Sequence, residues 1–82
     1  MDTNDIASAF KKILNKKEID LETSFFKQGG NSLLALKLMN LINSTHKTDL
    51  RLNEVFKNSS VKELTHLLKH KEVDEDQISI DL

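Results

Sequence analysis

Between Asp5 and Asn15 the chain reads DIASAFKKILN, with apolar Ile6, Phe10, Ile13 and Leu14 at spacings of four, three and one. That spacing gives one stripe along a helix and turns Lys11 and Lys12 away from it. From Lys16 to Asn31 the pattern lapses: Ile19, Leu21, Phe25 and Phe26 stand among charged and small residues without a lasting period, and the stretch closes on Gly29-Gly30-Asn31. A long loop pinned to the core by its aromatics is expected there. Ser32 to Asn43 is predicted to form a second helix, and Leu52 to Phe56, with Asp49 ahead of it, a short third. The fourth opens at Ser60, where Glu63 three residues on completes a capping box and Val61, Leu64 and Leu68 line one face. No stretch of the body alternates as a half-buried strand. The expected fold is all-α, a small four-helix bundle of three long helices and one short one.

The second helix carries more apolar residues than one buried face can take. At about 100° per residue, Leu34, Leu38, Leu41 and Ile42 fall within one arc of about 100°, wide enough to be the core face. Leu33, Leu36 and Met39 lie on the other side, around Ser32. Two readings follow from periodicity: an apolar surface held open for a partner, or a patch covered by the third helix or by the Phe25-Phe26 loop.

Composition narrows the setting. Eighty-two residues allow one small domain with a thin core. Without cysteine there is no disulfide framework, thiolate metal site or cysteine nucleophile, which suits a reducing compartment. No apolar run approaches membrane-spanning length, and MDTNDIASAF lacks the basic-then-apolar order of a secretion signal. A cytoplasmic, monomeric protein with no membrane partner is expected. The net charge of -1 conceals a division: residues 1–71 hold all twelve basic residues and eight acids, a balance of +4, whereas residues 72–82 hold five acids and no base. The expected organisation is a folded domain over 1–71 and a flexible acidic tail over 72–82. The mildly basic body has neither an arginine-rich helix nor interleaved aromatics, which argues against nucleic acid as a partner.

Ser32 is the residue that most needs a role. A serine behind Gly-Gly-Asn and ahead of a leucine-rich run is a good helix N-cap, and Asn31 can serve equally well. As a hydrolytic nucleophile it lacks an aligned base, since the histidines are His46, His66 and His70 and no G-x-S-x-G elbow surrounds it. His66 and His70 stand at i, i+4 opposite the apolar face of the fourth helix with no third ligand at useful spacing, so a solvated pair is expected rather than a metal site. No catalytic constellation is found, and the chain is expected not to be an enzyme.

FFKQGGNSLLALKLMNLI resembles the signature of phosphopantetheine-bearing carrier proteins, most closely the peptidyl carrier (thiolation) domains of nonribosomal peptide synthetases. In that family a double aromatic, a variable pair, Gly-Gly, one polar residue and Ser-Leu open the second helix. The likeness continues through LRLNEVFKNSSVKELTHLL and covers about residues 5–70. It implies that Ser32 is the attachment site of 4′-phosphopantetheine, joined covalently from coenzyme A by a phosphopantetheinyl transferase with magnesium, and that Gly29, Gly30 and Asn31 form the attachment loop. It implies further that Leu33, Leu36 and Met39 are a docking patch used in turn by adenylation, condensation and release (thioesterase) domains. Asn31 and the Lys27-Gln28 pair depart from the family's commoner residues and bear on which partners fit. Fatty-acid and polyketide acyl carriers, which generally present an acidic second helix, are the alternative within the family. Outside it stands a helical adaptor with no cofactor.

The tail lies beyond the resemblance. Ile78, Ile80 and Leu82 alternate with Ser79 and Asp81 behind a run of acids. Such a segment can add as a strand to an exposed sheet edge, with its acids meeting basic residues of the receptor. Asp76, Gln77, Ile78, Ser79, Ile80, Asp81 and Leu82 are therefore expected to act as a docking motif for the N-terminal docking domain of a downstream synthetase subunit, the alternative being a plain linker.

Overall fold

The computed structural model describes the backbone of residues 2–81 and the side chains of residues 2–71. Four helices follow one another: α1 (Thr3–Leu14), α2 (Ser32–His46), α3 (Leu52–Lys57) and α4 (Val61–Asp81). No strand occurs among the described residues. The all-α bundle of three long helices and one short one is the one read from the sequence.

α1 starts where the acids Asp2 and Asp5 can exchange hydrogen bonds, each carboxylate accepting the other's amide at 3.1–3.2 Å. It ends on Asn15 in the left-handed conformation, φ 56°, which asparagine tolerates better than most residues. Ile6 and Phe10 are wholly buried, Ala7 and Ala9 nearly so, and Ile13 and Leu14 pack partly against the same core. α4 begins with the expected capping box, in which the Ser60 hydroxyl accepts the Glu63 amide at 3.1 Å. Its Val61, Leu64 and Leu68 are fully buried beside Phe10, Phe25, Leu38, Ile42 and Val55.

One expectation is corrected. α2 continues past Asn43 to His46, and the Asn43 carboxamide, instead of ending the helix, ties down the turn behind it. Its oxygen accepts the Leu50 amide and the Thr48 hydroxyl, both at 2.8 Å, and its NH2 donates to the Leu50 carbonyl at 2.9 Å. Arg51 is the N-cap of α3, and the Glu54 carboxylate accepts the Arg51 amide at 2.9 Å. The α4 backbone runs on to Asp81. Both glycines of the chain lie at 29 and 30 and it has no proline, so no backbone-breaking residue interrupts the helix there. The docking motif expected over Asp76 to Leu82 concerns side chains outside the described residues.

α3 and α4 are joined by a short ion pair, Lys71 Nζ to Glu54 Oε1 at 2.6 Å, with both side chains mostly shielded from solvent. Lys71 also donates to the Asp49 carbonyl at 3.2 Å. Partial burial pushes the Glu54 carboxyl up, but the Lys71 hydrogen bond, the Arg51 amide and the charges of both cations together hold it below the ordinary glutamate value. Among the described residues no helix is long and apolar enough to cross a membrane.

Candidate functional site

The loop from Lys16 to Asn31 delivers Ser32 to the surface. It is fastened to the start of α4 by backbone: the Phe25 amide donates to the Ser59 carbonyl at 2.6 Å, and the Lys62 amide to that of Leu21 at 3.0 Å. The two aromatics divide the work. Phe25 is fully buried, edge-on to Phe10 of α1 with ring centroids 5.1 Å apart. Phe26 turns the other way and stacks on Phe56 of α3, centroids 5.3 Å apart and planes within 11° of parallel. The loop is thereby clamped between the core and α3, as its aromatics led one to expect.

Each glycine answers a different demand. Gly29 has φ +114°, a conformation that other residues adopt only with strain. Gly30 passes so close to Phe25 that a β-carbon there has no room, and its amide donates to the Phe25 carbonyl at 3.0 Å. Together they turn the chain sharply under the aromatic and into α2.

The first turn of α2 settles the choice of cap. Asn31 is the N-cap, with extended backbone, and its side-chain oxygen accepts the Leu34 amide at 2.9 Å. Ser32 is the first helical residue, exposed, and its hydroxyl takes no part in the cap. An exposed hydroxyl therefore stands at the positive end of a fifteen-residue helix, where the first amides and the macrodipole favour an anionic group. That environment fits a phosphodiester on Ser32. No acid occupies the first turn, so nothing there repels it.

Around the serine, Leu33 is 62% exposed and Leu36 39%, as the helical geometry predicts. Met39 is corrected: it is half-buried and packs against the core, because its position borders the buried arc marked by Ala35, Leu38 and Ile42. Phe56, 45% exposed and stacked on Phe26, is a further exposed apolar residue, one that the helical pattern alone does not single out. The available signal was its place beside Val55 on a six-residue helix, which can bury only one narrow face. His66 and His70 are both exposed, with ring centroids 4.2 Å apart.

Gln28, one of the departures from the family's commoner residues, has a role within the loop. Its side-chain oxygen accepts the Asp20 amide at 2.8 Å, while its NH2 donates to the carbonyls of Asp20 at 2.8 Å and Thr23 at 2.9 Å. Sequence reasoning had no means of seeing contacts that close only when the loop folds back on itself.

The family model described as "Phosphopantetheine attachment site" matches residues 4–68. The chain belongs to this family. Its cofactor is 4′-phosphopantetheine, and the chain resembles the thiolation domains of nonribosomal peptide synthetases. Bacitracin synthase 1 of Bacillus licheniformis is 33% identical over 63 residues, 77% of this chain and 1% of that protein. Among solved structures, a thiolation-reductase di-domain from an archaeal nonribosomal peptide synthetase superposes with a TM-score of 0.77 at 31% identity, over 82% of this chain and 14% of that one. A non-covalent extended docking domain complex of the Pax synthetase, PaxA T1-CDD with PaxB NDD, gives a TM-score of 0.72 at 26% identity, covering 98% of this chain and 83% of that one. The chain spans between 1% and 5% of the curated relatives it matches.

Proposed function

We propose that this chain is a peptidyl carrier whose Ser32 bears 4′-phosphopantetheine. The observation that carries the reading is the cap: Asn31, and not Ser32, accepts the Leu34 amide, so the serine hydroxyl is exposed and unengaged in it. A hydroxyl with no base beside it suits a reaction in which a separate transferase supplies the base and the metal. Ser32 gives up its proton to that enzyme, its oxygen attacks the pantetheine-bearing phosphorus of coenzyme A, and the pyrophosphate bond to adenosine 3′,5′-bisphosphate breaks as the new phosphodiester forms. When bound, the cofactor supplies a terminal thiol that holds an aminoacyl or peptidyl group as a thioester. The chain itself performs no catalysis: Leu33, Leu36 and Phe56 form the exposed part of the surface on which the transferase and then adenylation, condensation and release domains dock, with Met39 at its margin. Apolar contacts suit weak binding to several partners in turn. Lys37 is the only fixed charge on the described length of α2, which favours the peptidyl class over acyl carriers with an acidic second helix. The cytoplasmic setting is part of the proposal.

The experiment is direct. Purified chain is incubated with coenzyme A, magnesium and a broad-specificity phosphopantetheinyl transferase, then weighed intact. Wild type gains one phosphopantetheine and Ser32→Ala none; an unchanged wild-type mass under conditions that load a control carrier overturns the reading.

We further infer that residues 72–82 are a docking segment for the N-terminal docking domain of the next synthetase subunit, set apart from the carrier body of residues 1–71. The acidic and alternating sequence of the segment supports this. So does the Pax docking complex, whose likeness extends over 98% of this chain, whereas the archaeal di-domain matches 82%.

A further inference from the structure

Gln28 is tethered from every side. Besides the three bonds of its carboxamide to Asp20 and Thr23, its amide donates to the carbonyls of Ser24 at 3.2 Å and Phe25 at 3.3 Å. Its own carbonyl accepts a short hydrogen bond from the Lys16 ammonium. Lys16 reaches it because Asn15 turns left-handed at the end of α1, and the Lys16 amide closes that turn on the Lys11 carbonyl at 3.0 Å. The Lys16 ammonium also lies 3.8 Å from where a β-carbon on Gly29 would stand. One side chain thus binds the descending half of the loop, and another ties the residue before Gly29 to the end of α1. The next three residues, Gly29, Gly30 and Asn31, lead to Ser32.

We propose that Gln28 and Lys16 are positioning residues for the modification of Ser32: they hold the loop so that the two glycines present the serine in the conformation a transferase accepts. The proposal rests on the assignment of Ser32 as the attachment site. Glycine pairs have wide conformational freedom; in this loop Gln28 ties the approach to them to Asp20 and Thr23, Lys16 ties it to the end of α1, and Phe25 anchors it in the core beside Phe10. Releasing it lowers the fraction of molecules whose serine is correctly presented, and the apparent dissociation constant rises in proportion to that loss. Once captured, the serine reacts as before.

The test uses the full chain and steady-state loading by the transferase with coenzyme A and magnesium. Gln28→Glu keeps the shape and the acceptor facing the Asp20 amide but sets a carboxylate against the Asp20 and Thr23 carbonyls. Lys16→Met removes the ammonium while leaving the stem, and Lys16→Arg restores a cationic donor. The expected result for Gln28→Glu and Lys16→Met is a KM for the carrier raised about tenfold with kcat within twofold of wild type. The amide NMR signals of Gly29, Gly30 and Asn31 should shift or broaden while the core signals stay in place, and Lys16→Arg should recover most of the loss. A Lys16→Met variant with wild-type KM overturns the proposal, even where Gln28→Glu is too unstable to assay. So does a loss of kcat that merely tracks loss of fold. Failure of wild type itself to gain mass overturns both this proposal and the assignment of Ser32, whereas wild type and variants loading alike overturns this proposal alone.

Discussion

Gly30 lies against Phe25 so closely that a β-carbon on the glycine would stand 2.3 Å from two of the ring carbons and 2.8 Å from the Phe25 carbonyl oxygen. Neither neighbour can give way, since the ring is sunk in the core against Phe10 and the carbonyl accepts the Gly30 amide. Gly30→Ala should therefore destabilise the domain by about 1–3 kcal/mol, the usual cost of forcing extra volume into packed structure. Urea denaturation measures it, and a midpoint equal to wild type would show that the loop relaxes away from Phe25.

Three substitutions on α2 separate the core from the surface. Leu36→Glu, on an exposed residue, should move stability by no more than about 0.5 kcal/mol yet weaken loading or condensation. Leu38→Glu buries a carboxylate at a fully enclosed site and should unfold the chain. Met39→Glu should fall between them at roughly 1 kcal/mol, since about half the benefit of burying a methionine is at stake. Thermal melts followed by circular dichroism rank the three, and a Met39→Glu melt indistinguishable from wild type would put Met39 wholly on the surface.

The Glu54–Lys71 pair makes stability depend on acidity. The folded carboxyl sits below its ordinary value, so its contribution is fully present above the unfolded glutamate pKa and disappears as the pH falls through the lower folded one. Glu54→Gln should flatten the stability-versus-pH curve on the acid side of that window and leave its neutral-to-basic shape alone. Urea midpoints between neutral and acid pH test this; identical slopes in wild type and variant would mean the pair contributes nothing.

For the proposed docking segment, binding of the cognate subunit's N-terminal docking domain should weaken as salt rises, because five acids lie in residues 72–82. Truncation after Asp76 should abolish it without changing loading of Ser32. Calorimetry on both chains decides the matter, and an affinity unaltered by the truncation refutes the segment's role.

What the sequence conveyed depended on distance along the chain. Helical stripes such as Ile6 with Phe10 and the capping box of Ser60 with Glu63 are local patterns, and they appear in the structure where expected. The order of residues from Phe25 to Leu34 was enough to identify the family, because its demands on backbone and exposure are local as well. Less legible was anything decided by chain segments meeting. Asn31 and Ser32 were equal candidates for the cap until the fold showed which side chain faces the Leu34 amide. Met39 stands near the edge of a helical face, where a small rotation decides burial. Phe56 and Gln28 owe their roles to Phe26 and to Asp20 and Thr23, partners that no periodicity links to them.

The separation of duties between Asn31 and Ser32 has a consequence for how the domain can be used. A serine that capped its own helix would surrender a backbone hydrogen bond, worth about 1 kcal/mol, whenever its oxygen was engaged elsewhere. Here the cap belongs to the neighbouring residue, and negative charge added at Ser32 falls where the helix dipole welcomes it. On the proposed assignment, an ester at Ser32 therefore leaves the hydrogen bond between Asn31 and the Leu34 amide in place.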